Sequence, residues 1–303
     1  MHYDPQAKGD WGLMQATDSV TAEIEELVTP DGIELFLRSY QTNSSDILLI
    51  LHGLGAHSGW FIDMCNHLAA RGLTVYAMDH RGFGHSKGLP AHIDRYQTYL
   101  EDIGFIIAAI RKLHPAARLY LLGHSMGAIF ATYFAAEHSE LLAGITILNP
   151  WVADHSQVPL GASLAILIGG IFKSKRYWQV AGETEVMTTN PQAILMLEND
   201  PYWRRKQTAS FLLQILQMRL GILKQATRIT IPALVMQAEA DKSISLPGSK
   251  KLYEALASSD KTWKTYPNYA HDSEFENDRS QMDNDLASWI QEHSAKTSEV
   301  ASQ

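Results

Sequence analysis

The chain predicts an α/β architecture: a mostly parallel, doubly wound sheet that begins with an antiparallel hairpin and carries a helical insertion. Three observations predict it. Five near-continuous apolar runs, ILLILHG, LTVYAMDH, RLYLLGHS, AGITILNP and IPALVMQAEAD, each stop at turn residues, as strands covered by helices on both faces do. Stretches with helical spacing fill the gaps between them. The alternation fails once, between Pro150 and Thr227, where the connection is far longer than the single helix two parallel strands require.

Taken in order, IEELVTPDGIELFLRSY holds two short alternating runs around a Pro-Asp-Gly turn, which predicts a hairpin of edge strands. WFIDMCNHLAA has the spacing of a helix. From Asp94 to Leu113, the residues Tyr96, Leu100, Ile103, Ile107 and Ile110 fall three or four apart and form one apolar stripe. Met126 to His138 and Ser210 to Leu223 predict two further helices, the second apolar over much of its circumference. The core is expected over residues 21–150 and 228–293, with residues 151–227 as a helical cap inserted in it. Residues 1–20 and 294–303 are polar and aperiodic and read as disordered tails.

At 303 residues and 46% apolar content the chain can bury a large core. Its net charge of −8, with scattered Lys and Arg, argues against attraction to a nucleic-acid backbone or an anionic membrane. Cys65 is the one cysteine, so neither a disulfide nor a thiolate metal cluster is expected, and a reducing compartment fits. The first twenty residues lack the basic start and apolar stretch of a signal peptide. The apolar run in VPLGASLAILIGGIFKSKR falls short of the roughly 20 residues that span a bilayer. These features predict a cytoplasmic protein. The apolar insertion adds a second expectation, a lipid-binding cleft or a transient contact with a membrane surface.

The chemistry centres on LLGHSMGA. Gly123-His124-Ser125-Met126-Gly127 matches G-x-S-x-G between an expected strand and an expected helix, the setting of a nucleophile elbow. A strained turn there holds the hydroxyl above the sheet at a helix N-terminus, and the flanking glycines remove the Cβ atoms that would keep strand and helix apart. A serine hydroxyl needs a base, and the base needs a partner that fixes its tautomer. With 13 histidines present, position must decide. Reactive groups gather at the carboxyl ends of parallel strands, in the order serine, acid, histidine. Asp241 follows the first strand after the insertion, and His271 follows KTWKTYPNYA, the last candidate strand. Glu239 is the rival acid. Asp79 and His52 close strands upstream of the serine, Asp272 adjoins His271, and His124 sits beside the serine and aims badly.

A tetrahedral intermediate also needs two N–H donors for its oxyanion. The residue after the nucleophile, Met126, supplies one, and the loop in ILLILHGLGAHSGW supplies the other, at Leu54. HGLGAHSG and RGFGHSKG miss the G-x-G-x-x-G dinucleotide pattern, and no phosphate-binding G-x-x-x-x-G-K-[ST] occurs. No cofactor is therefore expected. The pairs His52/His57 and His80/His85 lack metal-ligand spacing or an acidic context, so no metal is expected either.

Together HGLGAHSGW, MDHRGFGHSKG, LLGHSMGA, NDPYWRR and the surroundings of Asp241 and His271 make the chain resemble the α/β-hydrolase superfamily, from about residue 23 to 292. Within it the likeness is to the monoacylglycerol lipase and lysophospholipase group. The resemblance implies an α/β-hydrolase fold and a serine hydrolase of single-chain lipid esters, with the insertion as an apolar lid. It matches Ser125, Asp241 and His271 to the triad, and Leu54 and Met126 to the oxyanion positions. Ala128 stands where the group often has a further glycine. A thioesterase, aminopeptidase, acyltransferase or carbon–carbon hydrolase can run on the same triad, and a non-catalytic ligand-binding module on the same fold. A dehalogenase or epoxide hydrolase would carry aspartate at position 125.

Overall fold

The structure, a computed structural model, describes residues 21–153, 160–179 and 184–301. The chain begins with β1 (Glu23–Val28), β2 (Glu34–Tyr40) and β3 (Asp46–Leu51), followed by α1 (Ile62–Ala70) and β4 (Thr74–Met78). Next come α2 (Gln97–Leu113), β5 (Arg118–His124), α3 (Met126–Glu137) and β6 (Gly144–Leu148). After a long excursion, β9 (Ala233–Ala238), α7 (Leu246–Ala255), β10 (Lys261–Tyr266) and α8 (Ser280–Ala301) complete the core. The excursion holds α4 (Leu160–Ile171), β7 (Tyr177–Gln179), α5 (Pro191–Glu198), β8 (Lys206–Thr208) and α6 (Ala209–Ala226), with β7 and β8 forming a small antiparallel ribbon.

The eight core strands lie in the order β1-β2-β4-β3-β5-β6-β9-β10. β1 and β2 pair antiparallel, as do β2 and β4, and every pair from β4 to β10 is parallel. This is the mostly parallel sheet with an antiparallel start that the run pattern predicts. Successive side chains of β3 and β5 go to opposite faces: Leu49, Leu51, Leu119 and Leu121 join the cluster under α2, α3 and α6. Leu48, Ile50, Tyr120 and Leu122 join the cluster under α1 and α8. Burial on both faces is the reason these strands are apolar throughout instead of alternating.

Helix boundaries follow the same logic. α2 begins at Gln97, three residues later than its stripe suggests, and buries Leu100, Ile103, Ile107 and Ile110 together with Tyr99 and Ile106. α3 has no polar face; Met126 through Ala135 are all buried, because the sheet covers one side and α6 packs over the other. Asn190 and Thr208 cap α5 and α6 with side-chain oxygens. Cys65 lies buried on α1. α8 runs on to Ala301, so the backbone is helical through 294–301, where the polar composition reads as a disordered tail; the other tail, residues 1–20, lies outside the described residues. No helix among the described residues is long and apolar enough to cross a membrane.

Candidate active site

β5 ends at His124 and α3 begins at Met126, so one residue turns the chain. Ser125 does so with φ +54° and ψ −111°, a strained region for a residue with a side chain, at a cost of about 1–3 kcal/mol. The turn closes only because its neighbours have no side chains. A Cβ on Gly123 would lie 2.2 Å from the Gly127 carbonyl oxygen, and one on Gly127 would lie 2.2 Å from that of Leu51. The Ser125 N–H donates to Leu148 O at 2.9 Å, which ties the elbow to the end of β6.

Three of the residues singled out by position converge here. His271 Nε2 lies 2.9 Å from Ser125 Oγ, and His271 Nδ1 lies 2.7 Å from Asp241 Oδ2. All three are less than a tenth exposed. Asp241 is aimed by its own turn after β9, where its Oδ1 accepts the N–H groups of Ser243 and Ile244 at 2.7 and 2.9 Å. Burial works against ionisation of Asp241, but the charge and hydrogen bond of His271 and these two N–H groups outweigh it, so its pKa lies below the usual carboxylate value. Burial likewise opposes protonation of His271, and here too Asp241 prevails, holding the imidazole above its ordinary 6.5. With Nδ1–H committed to the carboxylate, Nε2 keeps its lone pair for the serine proton.

The rivals are placed elsewhere. Glu239 is exposed. Asp79 braces a loop by accepting the N–H groups of Ser58 and His85 at 2.6 and 2.7 Å. His52 accepts the His80 N–H on Nε2 and donates Nδ1–H to Gly53 O; burial pushes its pKa down to about 4. Both thus serve loop architecture. Leu54 follows Gly53, and Gly53 packs so closely on the elbow that a Cβ there would lie 3.2 Å from Ser125 Cβ. Met126 opens α3 directly after the serine.

Positional reasoning missed several residues that hold this arrangement. Asn149, at φ +43° just past β6, donates Nδ2 to His271 O at 2.6 Å and accepts the Ala238 N–H on Oδ1 at 2.7 Å. It thereby ties two strand ends to the histidine loop. Asp200, in the NDPYWRR segment, accepts hydrogen bonds from His57 Nε2 at 2.9 Å and Trp60 Nε1 at 2.8 Å, and the Arg204 N–H donates to Gly55 O at 2.9 Å. The inserted segment is thus clamped onto the loop that follows Leu54. In the sequence this segment carries the family likeness but gives no sign of its partners. His124, His271 and Asp272 come close enough to suggest a metal. Yet both His271 nitrogens face Asp241 and Ser125, and His124 Nε2 faces a carbonyl oxygen.

An eight-stranded sheet of this order with a serine elbow between its fifth strand and the following helix defines an α/β-hydrolase. The chain belongs to the serine aminopeptidase S33 family, whose model matches residues 42–278. Among its relatives, a monoglyceride lipase of Mus musculus is 27% identical over 254 residues, covering 82% of this chain and 83% of that one. A monoacylglycerol lipase of Mycolicibacterium smegmatis is 26% identical over 254 residues, covering 83% and 90%. Among solved structures, a monoacylglycerol lipase of Paleococcus ferrophilus has the same fold, with a TM-score of 0.79, 23% identity and coverage of 86% of this chain and 99% of that one. A soluble variant of the Saccharomyces cerevisiae monoglyceride lipase, in complex with a substrate analogue, aligns with a TM-score of 0.80, 19% identity and coverage of 91% and 96%. The family and relatives place the chain among lipase- and esterase-type α/β-hydrolases.

The packing at the elbow is tight enough to test directly. Gly127→Ala forces a methyl group into the backbone of β3 and should destabilise the fold by about 2–3 kcal/mol, read as a lower urea midpoint with an unchanged slope.

Proposed function

We propose that the chain is a serine hydrolase that cleaves carboxylic esters of single-chain lipids, of the monoacylglycerol or lysophospholipid type, through an acyl-enzyme. One observation carries the reading: an unbroken hydrogen-bonded line from Asp241 through His271 to Ser125 Oγ, 2.7 and 2.9 Å long, ending at a strained elbow. His271 Nε2 takes the Ser125 proton as Oγ attacks the ester carbonyl, and Asp241 stabilises the imidazolium that forms. The Met126 and Leu54 N–H groups hold the oxyanion, each donor lowering the barrier by about 3–4 kcal/mol. Collapse expels the alcohol, which leaves with the proton from Nε2. Water then gives a proton to Nε2 and attacks the acyl carbonyl, and Ser125 regains its hydrogen as the fatty acid departs.

The inserted segment acts as the cap that selects the substrate. Its helices α4 and α6 pack together and still expose Leu164, Ile168, Ile171, Leu216 and Leu220, with Phe172 just beyond α4. Such a surface suits an acyl chain, whereas an aminopeptidase would need carboxylates to hold the substrate's ammonium group. The names of the relatives favour monoacylglycerols. Against the expectation from the net charge of −8, the same apolar face, with Lys173, Lys175 and Arg176 exposed beside it, supports transient docking of a cytoplasmic enzyme on anionic membrane surfaces.

Ser125→Ala should lower kcat on a medium-chain monoacylglycerol by about 10⁴-fold or more and abolish labelling by a fluorophosphonate; parental turnover by that variant sinks the reading. Because only the neutral imidazole accepts the serine proton, activity should be lost as pH falls through the raised His271 pKa. The acid limb of the kcat/KM profile should therefore lie above pH 6.5. In flotation with vesicles containing phosphatidylserine, the double variant Ile171→Asp, Phe172→Asp should bind about tenfold more weakly or less, while turnover of a water-soluble ester stays at the parental level.

A further inference from the structure

Behind the His271 main chain lies a cluster that the reaction does not use. His124, 1% exposed, stacks at a tilt on His271 with ring centroids 5.0 Å apart, and its Nε2 lies 3.1 Å from His271 O. A carbonyl only accepts, so Nε2 carries the hydrogen. In a neutral ring that leaves Nδ1 as a bare lone pair, and Nδ1 is buried with no hydrogen-bond partner. It points at Glu274, whose Oε1 lies 3.8 Å away.

Glu274 sits in the helical turn Ser273–Phe275 after His271. It is 2% exposed, and neither carboxyl oxygen meets a donor. Glu276, two residues on, shows the contrast: it accepts the N–H groups of Ala270 and Thr189 and the hydroxyls of Thr188 and Thr189. The titratable groups facing Glu274 are His124 from the end of β5, Asp272 and Glu276 from its own loop, and Asp283 from α8. Asp283 in turn faces Arg279, His67 and Asp63. A buried carboxylate with no donor, beside a lone pair and other carboxylates, is costly; a carboxylic acid there has a proton to give and an acceptor to take it. Burial and Asp272 push the Glu274 pKa well above its ordinary value, and burial pushes His124 down to about 3.

We propose that Glu274 is a protonated positioning residue: its O–H donates to His124 Nδ1, which locks the His124 tautomer whose Nε2–H holds the His271 main chain in line with Ser125. The 3.8 Å gap exceeds a hydrogen bond, and about 1 Å of side-chain movement closes it. The pair is a second carboxyl–imidazole relay, set behind the first and run with the opposite charge state. Asp241 is an anion that accepts from its imidazole; Glu274 is an acid that donates to its own. Asn149 Nδ2 donates to the same carbonyl, so two donors fix the backbone of the base. The proposal rests on the triad reading above.

Glu274→Gln supplies an amide N–H in place of the acid O–H and cannot ionise. It should keep kcat within about twofold at neutral pH and extend the alkaline plateau beyond that of the parent. Glu274→Met removes the donor and should lower kcat by roughly fivefold to tenfold with KM unchanged. A Glu274→Gln profile superimposed on the parent's, or an equal loss in both variants, overturns the proposal. A nitrogen-15 spectrum of the His124 ring, recorded in the Ser125→Ala background, gives a readout independent of turnover. Expected are a proton on Nε2 and a hydrogen-bonded Nδ1 with Glu274 or Gln at 274; a proton on Nδ1, or a free-acceptor Nδ1 signal in both, overturns the relay even if Glu274→Met fails to fold. Because this spectrum needs no catalysis, failure of the relay and failure of the serine-hydrolase reading give different results.

Discussion

The contact between Gly127 and the carbonyl oxygens of Leu51 and His52 is the constraint on which the site is built. It lets the first turn of α3 press against the end of β3, and only then can one residue carry the chain from strand to helix. Ser125 takes up the resulting strain at φ +54°, and its side chain is left above the sheet, where the helix N-terminus favours developing negative charge. The same closeness brings Gly53 against Ser125. Ser125 and the loop that carries Gly53 and Leu54 are therefore positioned by one packing event.

Electrostatics around His271 follows from what each carboxyl group finds when it is buried. Asp241 finds an imidazole N–H and two backbone N–H groups and stays ionised. Asp272 and Glu274, just after His271, lack such donors: burial outweighs the charge of His271 and pushes Asp272 up to about 7, and burial with Asp272 beside it raises Glu274 above its ordinary range. Hydrogen-bond donors, more than proximity to the histidine, separate Asp241, whose pKa is lowered, from Asp272 and Glu274, whose pKa values are raised.

The inserted segment is joined to the site through the loop after β3 as well as through the sheet. Asp200 bonds to His57 and Trp60, Arg204 bonds to Gly55, and Trp60 meets Trp203 edge to face at 5.8 Å. Movement of the segment against the core would thus pull on the loop that carries Leu54. The segment thus meets the core twice, through this polar clamp on the loop after β3 and through α6 packed over α3.

The run pattern alone determined the sheet, its antiparallel start and the place of the serine, because strands covered on both faces must be apolar and must end in turns. Strand-end logic also singled out Asp241 and His271, since a parallel sheet gathers its carboxyl ends on one edge. Tertiary structure decided the rest. It set Asp241, and not Glu239, against His271 by burying one and exposing the other, and it placed Nε2 of His124, a badly aimed neighbour of the serine by position, against the His271 carbonyl. Asn149, Asp200 and Glu274 left no periodic trace, because what each does depends on a partner across the fold, and local spacing carries no information about which distant donor or acceptor a buried polar group will meet.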